Sequence, residues 1–416
     1  MKRLLRYTAV FLCTLLPLIV FAQKEKPDDK PRPRKQYTIE QATSDRAQLH
    51  TIAFDGLAFL TGNFGADCFF PPGKVADFFG FQYMRDNDSN SLGHNTDFLT
   101  RIATNVLSIL NQEQLDQFIT LAKEQEPLYN DFANKRILLI KAFRESMEQG
   151  KALNKEAVIN YFRELYAIDG ELSYRRAEVM AEVIRSFTPQ QKEQLNKLNF
   201  GNSATWPDMP ERLDKRSLSH RAHVGVMTYA SELFSWYKGS LKADTYFCPE
   251  RHGTYFGGFY LKDYPAMGNR GYSIPTSLTG ESGKAFLDIL DPEQRKQVEV
   301  LPLLQKENLK AVVTLREQVA AGLRKFITGE QPDKQTILEL VKKYGAQDGE
   351  LSLLYVTAFA SVYKTLTAEQ KEQLKQLRNL EVLPPGIYIY SDPEPMPEQL
   401  DCSFLFSKIT ATKKPF

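Results

Sequence analysis

The sequence predicts an all-α protein built from a duplicated module, in which each copy is a kinked helical hairpin or bundle with an irregular, aromatic-rich loop block. Three observations predict this class: helix-capping signals, apolar residues at helical spacing, and an internal repeat. With 42% hydrophobic and 25% charged residues, the chain has the composition of a globular protein that buries a core.

The first 22 residues have the pattern of a secretory signal peptide. Three basic residues precede the apolar run Val10–Phe21, and small residues end the segment before Gln23. Cys13 lies inside the apolar run and not at the cleavage point, so we expect no lipid anchor. The pattern predicts export to the periplasm or the extracellular space, with residues 23–45 as a Lys/Pro-rich tether.

The charge and the cysteine content of the remaining chain are unremarkable in an exported protein. Removing the three basic residues of the leader changes the formal net charge from +2 to −1, which is not the electrostatic footprint of a nucleic-acid-binding protein. No later apolar run reaches the ~18 residues of a membrane span. Cys68, Cys248 and Cys402 remain. This odd number leaves their pairing open.

An internal repeat divides the chain into two modules. Residues 169–195 and 348–374 are identical at thirteen of 27 positions, including the shared motif Asp-Gly-Glu-Leu-Ser. An earlier block, 62–86, aligns without gaps to 239–263. The predicted organisation is a signal peptide (1–22), a tether (23–45), module 1 (46–198), a linker (199–222), module 2 (223–377) and a Pro-rich tail (378–416).

Four helix starts carry one capping signal. In each, Asn, Thr or Asp is followed three residues later by Gln, so the first side chain accepts a bond from the first turn while the Gln reaches back to the cap. The four pairs are Asn111 with Gln114, Thr188 with Gln191, Asp291 with Gln294, and Thr367 with Gln370.

Apolar residues after these caps follow helical spacing, as in the run from Val158 to Ile168. Pro127 and Pro302 are expected to kink the long helix of each module. Gly170 and Gly349 lie in otherwise helical patterns, where a small residue lets two helices approach closely or a turn breaks the helix. We favour the close approach.

The capped starts resemble the Leu-Thr-x-x-Gln motif of the periplasmic Spy/CpxP-like family. The match is full at Leu366, Thr367 and Gln370, while Asn111, Phe187 and Asp291 depart from the motif. Residues 108–198 and 288–377 share the family layout, in which one motif opens a long helix and a second opens the last helix.

The resemblance implies a small, all-helical periplasmic fold. Members of the family form dimers shaped as a curved cradle; some hold unfolded proteins without ATP, and others sense or scavenge metal ions. The internal repeat alone adds the hypothesis that the two modules pair as an intramolecular version of the family's dimer.

The loop block of each module has no counterpart in that layout. Prolines and glycines interrupt its helix pattern, and its retained aromatic residues are typical of packing against a bundle. Polar residues on a rigid loop are also where binding sites occur. The candidate binding residues are Asp67, Phe70, Tyr83 and Asp86 in the first block and Asp244, Phe247, Tyr260 and Asp263 in the second.

The leading functional hypothesis is an exported, non-enzymatic binding protein, chaperone-like or active in envelope stress, that holds protein clients on a concave helical surface. The sequence predicts no cofactor. The alternative is an exported metal-binding or metal-stress protein, for which the weak ligand candidates are His220 and His223, spaced to share a helix face. A third reading is an enzyme that uses Asp67, Tyr83 and Asp86.

Overall fold

The fold is almost entirely helical in the described part of the chain, which confirms the predicted all-α class. The computed structural model describes residues 36–37, 45–61, 97–198, 206–214, 216–246, 274–275, 279–378, 387–389, 392–394 and 400–407. Residues Lys35–Phe416 form one compact unit.

Five helices are described between residues 45 and 197: α1 (Asp45–Thr61), α2 (Asp97–Ile109), α3 (Gln112–Gln149), α4 (Lys155–Arg185) and α5 (Pro189–Lys197). Those that follow are α6 (His220–Lys238), α7 (Leu241–Tyr246), α8 (Thr279–Ile289), α9 (Pro292–Glu299), α10 (Leu301–Leu304), α11 (Lys306–Thr328), α12 (Lys334–Thr365) and α13 (Ala368–Arg378), with a 3-10 turn at Ser403–Leu405. Two short antiparallel pairs complete the fold: β1 (Gln36–Tyr37) with β2 (Ile274–Pro275), and β3 (Ile387–Ile389) with β4 (Asp392–Glu394).

Helices α4 and α12 pack along each other at the centre of the molecule. A Cβ added at Gly170 would lie 2.8 Å from Leu338 Cδ2, and one added at Gly349 would lie 3.2 Å from the Phe162 side chain. Both glycines are buried inside uninterrupted helices. The close-approach interpretation is therefore confirmed, and the alternative of a helix-breaking turn is wrong.

Matched ion pairs cross between α4 and α12. Lys155 Nζ lies 2.7 Å from Glu350 Oε2, and Lys334 Nζ lies 2.6 Å from Glu171 Oε2. Lys155 and Lys334 are equivalent in the repeat, as are Glu171 and Glu350. The two helices therefore make the same contact in both directions.

We call helices α1–α5 the first half of the fold and helices α6–α13 the second half. The first helix of each half packs against helices of the other half. Helix α1 lies on α8 and α13, and α6 lies on α2 and α3. The α1–α8 crossing is especially close, because a Cβ added at Gly283 would clash with the His50 carbonyl oxygen. The two halves are thus joined by their first helices as well as by α4 and α12.

The two prolines have different consequences. Helix α3 continues through Pro127 without interruption. In the second half, the corresponding stretch is divided at Val300 and Gln305, on either side of Pro302, into α9, α10 and α11. Proline has no N–H for the helical hydrogen bond, and its ring crowds the preceding turn, which accounts for a break near Pro302.

Part of the predicted loop block is helical, so the prediction is wrong for residues 241–246, which form α7. The backbone N–H of Asp244 donates to Ser240 O at 3.1 Å, and the Thr245 hydroxyl donates to Leu241 O at 2.7 Å. The Gly and Pro signals behind the loop prediction lie mostly after this turn.

Segments of the predicted linker and tail also contribute to the core. Trp206 and Leu213 are buried. The tail residue Leu405 is buried, and its carbonyl accepts from the Asn154 N–H at 2.8 Å beside a β-bridge between Leu153 and Phe406. Among the described helices, none is both long and apolar enough to cross a membrane.

Candidate binding surface

Seven of the eight predicted loop-site residues lie outside the described residues: Asp67, Phe70, Tyr83, Asp86, Phe247, Tyr260 and Asp263. The eighth, Asp244, is completely buried in α7. Asp244 is therefore the one predicted loop-site residue whose surroundings the structure describes.

Asp244 anchors α7 to α11. Its carboxylate accepts from Arg324, with Nη2 to Oδ1 at 3.1 Å, while Arg316 donates to the carbonyls of Asp244 and Thr245 at 2.9 and 3.1 Å. Burial raises the pKa of the Asp244 carboxyl to about 6, and the hydrogen bond and charge of Arg324 oppose that rise. These contacts give Asp244 a structural role in joining two helices.

The capping glutamines do more than cap their own helices. In the first half, Gln191 Nε2 donates to Gln114 Oε1 at 2.8 Å and to Ile109 O at 2.9 Å, while Gln114 Nε2 donates to Ser186 Oγ at 2.8 Å. Both capping boxes, with Asn111 and Thr188, are present. We call the pair Gln114 and Gln191 the first Gln clamp. It joins the C-terminal ends of α2 and α4 to the first turns of α3 and α5.

The second Gln clamp, Gln294 and Gln370, repeats this geometry. Gln370 Nε2 donates to Gln294 Oε1 at 2.8 Å and to Ile289 O at 3.0 Å, and Gln294 Nε2 donates to Thr365 Oγ1 at 3.2 Å. The Asp291 and Thr367 caps are formed as well. The motif residues therefore hold helix ends together in both halves.

A buried polar network that no sequence pattern predicts joins α3, α4 and α6. Arg176 Nη1 lies 2.9 Å from both carboxylate oxygens of Glu232. The Tyr229 hydroxyl donates to Gln125 Oε1 at 2.7 Å, and Gln125 Nε2 donates to Leu172 O at 2.9 Å. Burial raises the pKa of Tyr229 well above its usual value. A buried ion pair between helices that are far apart in the sequence leaves no periodic signal in the sequence.

The histidine pair lies at the start of α6. The ring of His223 contacts the carboxylate of Glu211 through Nε2, while the side chain of His220 lies outside the described residues. Within the described ranges, no group of three or more His, Cys, Asp or Glu side chains is placed to hold a metal ion. Cys402 is buried beside Glu145, with Sγ 3.7 Å from Oε1, and burial raises the pKa of its thiol.

An exposed apolar surface surrounds the break at α10. Leu303 is 71% exposed, Leu304 51% and Val300 40%, whereas the intervening Leu301 is buried. We call Val300, Leu303 and Leu304 the α10 surface. Five large apolar side chains are exposed among the described residues, and these three fall within one five-residue stretch. Clustered apolar exposure of this kind marks interaction sites.

The matched surface of the first half is polar. At a shift of 180 residues, Val300, Leu303 and Leu304 correspond to Thr120, Lys123 and Glu124, while the buried Leu301 corresponds to the buried Leu121. An alignment of Val-Leu-Pro-Leu-Leu with its counterpart at residues 120–124 shows that the apolar residues at these three positions are confined to the second half, and the structure adds that they are exposed.

No family model, no curated protein and no solved structure matches the chain.

Proposed function

We propose that the protein is an exported, non-enzymatic binding protein that holds apolar segments of client proteins on its helices without nucleotide. The observation that carries the proposal is the α10 surface, where three aliphatic side chains are exposed together, whereas most other large apolar residues in the described ranges are buried or half-buried. The leader pattern and the resemblance to the LTxxQ-motif family supply the exported, chaperone-like part.

The size of the α10 surface suits weak, reversible holding. Fully burying one Leu or Val side chain contributes roughly 1.5–3 kcal/mol, and these three are already partly covered. Association costs at least ~4 kcal/mol in lost translational and rotational freedom. The α10 surface therefore supports binding to exposed apolar segments that is readily released, which is what a holding function requires.

Suppression of aggregation of two defined, chemically unfolded clients tests this proposal. The variant Val300→Thr/Leu303→Lys/Leu304→Glu gives the second half the residues of the first half at these positions. We expect the wild-type mature chain to slow aggregation at near-stoichiometric ratios and this variant to lose most of the effect.

The matched control is Phe404→Ser, which removes an apolar side chain that is 50% exposed elsewhere on the molecule. It should retain the wild-type effect, and urea denaturation should show that both variants fold. Equal protection by the wild type and the triple variant would overturn the assignment to α10, and no protection by the wild type would overturn the function.

The alternative, metal binding, is favoured by one contact. The His223 ring lies against the Glu211 carboxylate, which adds an oxygen ligand next to the predicted His220 and His223 pair. Calorimetry with Zn²⁺, Cu²⁺ and Ni²⁺ on the wild type and on His220→Ala/His223→Ala tests it. Unchanged affinity in the double variant would exclude these ligands.

A further inference from the structure

Two lysines flank the α10 surface. Lys296 precedes Val300 by four residues and Lys306 follows Leu304 by two, and both are exposed. Neither forms an ion pair with a carboxylate among the described residues. Their charges are therefore available to a partner that covers the apolar side chains between them.

Two neighbouring acidic side chains form ion pairs within the protein. Glu299 Oε1 lies 2.7 Å from Arg295 Nε, and Glu307 Oε1 lies 2.7 Å from Lys310 Nζ. From Arg295 to Lys310, beyond Glu293, the chain carries four basic and two acidic residues, so the charge left over along this stretch is positive. Because exposed charges act over about 10 Å at moderate ionic strength, an approaching chain meets this excess before it meets the apolar side chains.

The first half carries the opposite charge at the same places. At the 180-residue shift, Lys296 and Lys306 correspond to Asp116 and Glu126. The same shift relates the two Gln clamps to within one residue, so these positions are matched in the fold as well as in the sequence. The apolar side chains and the flanking positive charge thus occur together on one half and are absent together from the matched stretch of the other.

We propose that the client segments held at the α10 surface are acidic, with apolar residues flanked by Asp or Glu that meet Lys296 and Lys306. This inference rests on the proposed holding function. Lys296 and Lys306 are ten residues apart, and because the helix is divided twice between them, the helical rise of 1.5 Å per residue sets an upper limit of about 15 Å on their separation. An extended segment covers that distance in about four to five residues, which sets the spacing of its carboxylates.

A protein segment fits this surface better than an anionic membrane does. Glu299 and Glu307 are interspersed with the two lysines, so a flat anionic surface would meet the acidic side chains as well. A single chain can place its carboxylates at the lysines and avoid the glutamates. Specificity of this kind comes from arranging charges against the wrong partner as well as toward the right one.

Fluorescence anisotropy with three labelled peptides tests the inference on the full mature chain. The peptides share one apolar core and differ only in flanking residues, which are Asp, Asn or Lys at a five-residue spacing. We expect the Asp-flanked peptide to bind about tenfold more tightly than the Lys-flanked one at low salt, with the difference shrinking at high salt.

Charge reversal assigns the preference to the two lysines. Lys296→Glu/Lys306→Glu should abolish or invert it, while the matched reversal of two exposed lysines elsewhere, Lys192→Glu/Lys375→Glu, should leave it unchanged. Equal binding of all three peptides would overturn the acidic preference and leave the holding function standing.

Binding of none of the peptides would overturn both proposals. Two further measurements test other occupants. Binding to phosphatidylserine vesicles but to no peptide would identify a membrane as the occupant. Sedimentation showing self-association that the Lys296→Glu/Lys306→Glu variant loses would identify a second copy of the chain. Either outcome overturns the acidic-segment inference.

Discussion

Residues 120–124 and 300–304 lie at matched places, six residues after Gln114 and Gln294. The first stretch continues a long helix, whereas the second is divided and contains α10. Inside, the matched residues have similar environments: Leu121 and Leu301 are both buried, as are Gln125 and Gln305. The positions of the α10 surface differ, because they are polar in the first stretch and exposed and apolar in the second. The buried residues are thus alike at these matched positions, whereas the exposed residues differ in polarity.

The two halves also differ in the polar contacts made by equivalent buried residues of α4 and α12. Arg176 of the first half forms a buried ion pair with Glu232, while the equivalent residue of the second half is Tyr355, whose hydroxyl donates to Gln305. The two halves therefore hold similar helices by different means. Three predictions, from the largest expected effect to the smallest, test how far the halves are interchangeable.

Removing one member of the buried ion pair should have the largest effect. Glu232→Ala leaves the Arg176 guanidinium buried without its partner and should lower the free energy of unfolding by about 3–5 kcal/mol. In the second half, Tyr355→Phe removes one hydroxyl and should cost only about 1–2 kcal/mol. Urea denaturation followed by circular dichroism measures both.

The double variant Arg176→Met/Glu232→Leu is the control for this comparison. Because it removes both charges together, it should recover much of the stability that Glu232→Ala loses. If Glu232→Ala costs no more than Tyr355→Phe, the ion pair does not distinguish the halves.

The Gln clamps should give an intermediate effect that is similar in both halves. Gln191→Ala and Gln370→Ala each remove an amide that bridges the partner glutamine and a helix-end carbonyl, so each should cost about 1–3 kcal/mol. The exposed Gln194→Ala and Gln373→Ala, one turn or less away, serve as controls and should change stability little. A large cost in only one half would show that the clamps have diverged.

The crossed ion pairs between α4 and α12 should give the smallest effect. Both pairs are partly exposed, so Glu171→Gln and Glu350→Gln should each lower the free energy of unfolding by less than about 1 kcal/mol. High salt should reduce that difference. Unequal losses that persist in high salt would contradict an equivalent role for the two pairs.

Much of the helical framework was predictable because its signals are local. A cap such as Asn111 or Thr188 bonds within its own first turn, so the residues that form the signal are also those that respond to it. The close approach at Gly170 and Gly349 was predictable for a related reason, since a glycine inside an apolar helical pattern favours packing against a neighbour. The spacing of the sequence did not reveal which helix would be that neighbour.

The candidate site was less predictable. The sequence predicts Asp244 to be a candidate binding residue on a loop, but it lies in a helix with its carboxylate directed at Arg324. Leu303 and Leu304 resemble core residues in sequence, because an apolar residue near a proline gives no sign of whether another helix will cover it. Exposure depends on contacts with chain far away in sequence, which no local pattern records.

By itself, the sequence determined where the capped helices begin, that the chain repeats, and that the fold is helical, since each follows from interactions between residues a few positions apart. The tertiary structure decided that the capping glutamines pair across helix ends, that α1 and α6 each lie on the opposite half, and that the second half leaves an apolar surface uncovered. These outcomes depend on contacts between segments that are far apart in the sequence, from the 77 residues between Gln114 and Gln191 to the more than 200 between α1 and α8. The packing of the whole chain determines which of the competing contacts form.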